Sequence, residues 1–127
     1  MVRISSSRID MEQARIDQAV IKGYGETLVG GTTGVSTGSS YNIDLSTGNV
    51  FNLKLTANCT FAFSNPTASG TACSFVIYLS QDATGSRTVT WPASVLWPGG
   101  NAPTLTTTAN KIDILSFFTV DAGTTWF

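Results

Sequence analysis

From Tyr41 onward the apolar positions recur every second residue. In Val50-Phe51-Asn52-Leu53-Lys54-Leu55-Thr56, alternation places Phe51, Leu53 and Leu55 on one face, the signature of a half-buried strand. Cys59-Thr60-Phe61-Ala62-Phe63 and Arg87-Thr88-Val89-Thr90-Trp91 repeat it, and Ile112-Asp113-Ile114-Leu115-Ser116-Phe117-Phe118-Thr119 is the longest such run. Phe75-Val76-Ile77-Tyr78-Leu79 is continuously apolar, as a central strand covered on both faces is. Turn-forming clusters separate these runs: Ser46-Thr47-Gly48-Asn49, Asn65-Pro66, Asp82-Ala83-Thr84-Gly85, Pro98-Gly99-Gly100-Asn101 and Asp121-Ala122-Gly123. The spacing predicts a mostly β fold over residues 40–127, about seven or eight strands in an antiparallel β-sandwich or jelly roll.

The front of the chain obeys a different period. Ile9, Gln13, Ile16 and Val20 fall at helical spacing, Ser7 is placed to cap the run from Arg8 to Lys22, and Gly23 follows as a stop. A helix of this length is marginal alone and is expected only where its stripe docks on a surface. Residues 1–29 therefore read as an arm with a short helix. Residues 30–39, nearly all Gly, Ser and Thr, read as a linker. A phosphate-cradling loop there lacks the following helix and the Lys that such a loop needs.

Charge sharpens this division. Eight of the fifteen charged residues lie in the first 26 positions, and the net charge of the 127-residue chain is −1. With no cationic excess the chain is not expected to bind nucleic acid. Ser (14) and Thr (19) dominate, and there is no His, which removes the usual general base and metal ligand. No apolar run approaches the length of a membrane span, and the start lacks a secretory signal, so synthesis in a host cytoplasm is expected.

Candidate chemistry is sparse. Asp82 and Asp121 occupy Asp-x-x-Gly and Asp-x-Gly turns, where the carboxylate caps its own backbone. Asp113, between Ile112 and Ile114, is expected to face solvent. The Ser residues lack a base, and the carboxylates are too scattered for calcium. If Cys59 and Cys73 lie on two strands of one hairpin, they are offset by about 13 Å along the strands, too far for a disulfide. Two buried thiols are expected. No cofactor, no metal and no enzymatic activity are predicted. Trp91-Pro92 and Trp97-Pro98 repeat a dipeptide, and Trp126 nearly ends the chain. Two readings stand for these three: plugs closing the ends of the sandwich, or a stacking platform for sugars.

The stretch Thr90-Trp91-Pro92-Ala93-Ser94-Val95-Leu96-Trp97-Pro98-Gly99-Gly100-Asn101-Ala102-Pro103-Thr104-Leu105-Thr106, the run Asp113 to Thr119 with Asp121 and Gly123-Thr124-Thr125-Trp126 after it, and the segments Asn49 to Leu53 and Phe61 to Pro66 together resemble a small β domain of tailed-bacteriophage virion proteins. That domain occurs in tail-fibre and minor structural proteins and in stand-alone head decoration proteins. The resemblance implies a virion part without catalytic residues. Because the chain carries one such domain and a charged arm, the expected role is a capsid decoration or cement protein on the head surface. Its partner would be the major capsid protein, held through Ile4, Arg8, Ile9, Arg15, Ile16 and Val20, with assembly as a homo-oligomer, a trimer. The alternative is a tail-fibre or tail-tip protein that binds host glycans through Trp91, Trp97 or Trp126.

Overall fold

Alternation becomes eight strands in a computed structural model that describes residues 17–127. They are β1 (Leu28–Val29), β2 (Val35–Ser36), β3 (Ser40–Asp44), β4 (Val50–Leu55), β5 (Cys59–Ser64), β6 (Cys73–Gln81), β7 (Val89–Thr90) and β8 (Ile112–Thr119). They build two open sheets. One has five strands, β1 and β2 both against β4, then β6 and β8; the other has three, in the order β3-β5-β7. The inward residues of both meet in one apolar core, with Ile43 and Phe61 from the smaller sheet and Phe51, Leu53, Leu55, Phe75, Ile77, Leu79, Leu115 and Phe117 from the larger. Phe63 stands edge-on to Phe75 at 5.0 Å and close to Phe117 at 5.1 Å, tying the layers together.

The mostly β, two-layer expectation holds; the antiparallel one does not. Every pairing between these strands is parallel except β6 with β8. From β2 to β8 the chain alternates between the sheets, so each tight connection crosses the core instead of closing a hairpin. At Thr56–Asn58, for example, β4 does not turn back to pair with β5. Instead the Cys59 N–H donates to the Thr88 carbonyl at 2.9 Å, and Asn58 Oδ1 accepts from the Thr88 N–H at 3.1 Å. A hairpin and such a crossing share the same sequence pattern, because side-chain alternation records which face is buried and not which strand lies alongside. The two cysteines are accordingly on different sheets, and both are free thiols.

Two further expectations change. Of the helix predicted from Arg8 to Lys22, residues up to 16 lie outside the described chain. Its described end is a turn at Asp17 and Gln18, with Gln18 at φ 56°, followed by irregular backbone. Residues 17–28 are all exposed, so the described part of the stripe has no surface to dock on. Residues 30–39, expected as a spacer, lie against the body: Val35 pairs with Leu53, Thr37 is buried and its N–H reaches the Lys54 carbonyl at 3.0 Å. Between β1 and β2 the chain loops over Asn52, whose Nδ2 donates to the Gly31 carbonyl at 2.9 Å. Gly30 sits at φ 92°, and a Cβ there would stand 2.5 Å from the Asn52 carbonyl oxygen. At Gly30 a glycine is thus required by close approach of the two chain segments.

Candidate functional site

Val89 in β7 faces the core, and the chain after it, Trp91 to Leu105, folds back along that end of the sandwich. Between β7 and the extended segment 102–107 lies a cleft of about 220 Å3. Val89, Trp91, Pro103 and Leu105 give it apolar walls, and Arg87, Thr88, Thr104 and Thr107 place polar groups around it. This small concave site, apolar with a few fixed polar groups, has the character of a binding pocket.

The walls are held by two side chains, Gln81, which the sequence did not single out, and Asp113. Gln81, 3% exposed at the end of β6, donates from Nε2 to the carbonyls of Arg87 (3.0 Å) and Thr106 (2.9 Å). Its Oε1 accepts the Arg87 N–H at 3.0 Å. One buried amide therefore grips both sides of the cleft, and its place two residues after Leu79, in phase with Phe75 and Ile77, is the only sequence signal it carried. Asp113 holds the same segment from below, accepting the Thr106 N–H at 2.9 Å and the Thr106 hydroxyl at 3.0 Å. This corrects the expectation that Asp113 faces solvent. Leu115, Phe117 and Thr119 fix the inward phase of β8, so Asp113 points in and Ile112 and Ile114 point out.

Asp82 behaves as its turn motif predicts and does more. Oδ1 accepts the N–H groups of Thr84 (3.0 Å) and Gly85 (2.8 Å), while Oδ2 takes Arg87 through Nε at 3.1 Å and Nη2 at 2.9 Å. The Arg87 hydrogen bonds, with help from the turn amides, hold the Asp82 carboxyl below its ordinary range. Asp121 is lowered chiefly by the Thr125 N–H, which it accepts at 2.9 Å, as it folds the C-terminal turn. Burial raises the Cys59 thiol, which fits an inert core residue and not a nucleophile.

The three tryptophans separate. Trp126 is 1% exposed and packs edge-on against Phe63 and Phe75, so it is a plug and no platform. Trp91 and Trp97 are half-buried and stand edge-to-face at 5.5 Å, both leaning on Phe117, but only Trp91 lines the cleft. Of the arm residues proposed for capsid contact, Ile4, Arg8, Ile9, Arg15 and Ile16 lie outside the described chain. Val20 is 97% exposed. Among the described residues no three His, Cys, Asp or Glu side chains cluster as metal ligands, and no helix is long and apolar enough to cross a membrane.

No curated protein and no solved structure matches the chain. A protein family does, over residues 32–125, which span β2 to the C-terminal turn and include every wall of the cleft. The chain belongs to that family, described as "Putative phage tail fibre C-terminal domain", and is a phage virion structural domain.

Proposed function

We propose that this domain serves in or on the tail fibre and contacts glycans of the host surface through the cleft beside Trp91. The family match favours the tail over the head and so supports this reading ahead of capsid decoration. The observation that carries the glycan part is the wall itself: an indole in a concave site, flanked by Thr88, Thr104 and Arg87, with both sides clamped by Gln81. An aromatic face offers a sugar ring contact area at small entropic cost, and hydroxyl and guanidinium groups suit its hydroxyls. A clamped cleft loses little freedom on binding. The volume suits a single sugar ring, so recognition centres on one residue of a longer polymer. Nothing in this mechanism requires bond cleavage, and the role is one of binding.

A glycan array probed with the full chain tests this. Saturable binding is expected, weakened at least tenfold by Thr104→Trp, which fills the cleft from an exposed position without touching the core. Absence of saturable binding to any glycan, together with retention on empty phage heads, overturns the reading in favour of decoration.

A further inference from the structure

The edge of the larger sheet is left open along its longest exposed strand. In β8, Phe118 exchanges both backbone hydrogen bonds with Phe127, at 2.9 Å each, on the side away from β6. Strand geometry then turns the N–H and C=O groups of Ile112, Ile114 and Ser116 to that same side. Among the described residues none of these groups has a hydrogen-bond partner. Of the devices that usually blunt such an edge, Pro, Gly and Lys are missing from β8, and its one inward-turned charge, Asp113, is already engaged by Thr106 of the same chain. Side chains on the outer side of the strand, Ile112, Ile114, Ser116 and Phe118, are exposed, Ile114 by 71%.

We propose that this edge is a contact between two copies of the chain, with β8 running antiparallel to β8 of its neighbour about Ile114. A second copy is the occupant because the edge is complementary to itself. Pairing centred on Ile114 sets Ile112 against Ser116 and Ile114 against Ile114, each a position whose bonding groups point outward. The outward side of β8 is uncharged, so two copies meet without like-charge repulsion, and the net charge of −1 adds little at a distance. The ladder ends where Phe127 takes over the edge at Phe118. A standard interface takes about 800 Å2 from each partner, roughly a tenth of the chain's 8618 Å2. One strand edge covers less, so the pair is weak and concentration-dependent.

Sedimentation of the full chain across a concentration series reads the contact, and it does so independently of any glycan. Self-association is expected, weakened about tenfold or more by Ile114→Lys, which sets two like charges opposite one another. Because Ile114 is exposed, the folded monomer tolerates this change; Ser116→Lys, which sets a charge against the apolar Ile112 of the neighbouring copy, is a second variant expected to weaken association. In the proposed register, Ile114→Cys brings two thiols to a Cα separation of about 5.5 Å, within disulfide reach. A mild oxidant should then yield a covalent dimer that neither the unsubstituted chain nor Asn42→Cys forms. Monomers at every concentration, an assembly indifferent to Ile114→Lys, or an assembly in which Ile114→Cys fails to cross-link each overturn the proposal.

Discussion

The two sheets share one core but present opposite outer faces. Outward positions of the smaller sheet are Ser40, Asn42 and Asp44, then Thr60, Ala62 and Ser64, then Thr90: small, polar and suited to water. Those of the larger sheet include Val50, Val76, Tyr78, Ile112, Ile114 and Phe118, with Lys54 the only charge on its strands' outer side. A second cleft, of about 290 Å3 and walled by Leu28, Val50 and Tyr78, opens on that face. Isolated apolar residues on a surface need no explanation, but a contiguous set does. The smaller sheet keeps apolar and polar residues on separate faces, whereas β6 and β8 of the larger sheet carry apolar residues on both.

Inner and outer positions of one strand give the largest contrast. Phe117→Ala is expected to cost about 3–5 kcal/mol in denaturant unfolding, because Phe117 stacks on Phe75 and supports Trp91 and Trp97. Its neighbour Phe118→Ser, on the exposed side, should cost under about 1 kcal/mol while raising solubility. Next in size is the clamp. Gln81→Leu leaves an N–H and two carbonyls without their partner, at a cost of about 1–3 kcal/mol, and should loosen the cleft enough to weaken glycan binding. Gly30→Ala, which drives a Cβ toward the Asn52 carbonyl at a positive φ, should cost about 1 kcal/mol or more and free the β1–β2 edge, seen as faster amide exchange there. Transplanting the character of one face to the other, with Asn42→Ile and Thr60→Val together, should leave stability nearly unchanged and promote association by light scattering.

The smallest effect comes from acid. The Asp44 carboxyl on the smaller sheet is held low first by the Ser46 hydroxyl and then by Asn65, and Asp82 and Asp121 are low as well. Since these folded-state values lie below the unfolded one, their contribution is complete above about pH 4 and is lost as pH falls through the folded values. Thermal midpoints should therefore be flat at neutral pH and decline below about pH 4. Replacing the Asp44 carboxylate by a neutral amide with Asp44→Asn should make that decline shallower.

Much of the core was legible in the chain. Phe51, Leu53 and Leu55 alternate with polar residues and are buried as the pattern requires, and β5 follows suit with Cys59 and Phe61. The continuous run at Phe75–Leu79 misled in one respect: β6 is central in its sheet, but only Phe75, Ile77 and Leu79 are buried, while Val76 and Tyr78 lie on the open face. In β8 the flanking isoleucines suggested the wrong phase for Asp113, because a strand apolar on both sides carries no phase signal at all. Of the site, the sequence marked Trp91 as an aromatic worth weighing and Asp82 as a turn. Gln81 was not marked, and Ala102 to Thr106 stood out only as part of a family-like stretch, since their role comes from contacts between segments that only the fold brings together.

The weaving of the chain between layers has a kinetic meaning. Strands that lie side by side in either sheet are separated in sequence by a strand of the other, so neither layer can assemble ahead of its counterpart. Chains whose pairings are mostly distant fold slowly, and here each turn of the winding must wait for the one before it. A ribosome-bound fragment ending anywhere before β6 therefore holds two half-built layers, each exposing an edge to whatever nascent chain is nearby.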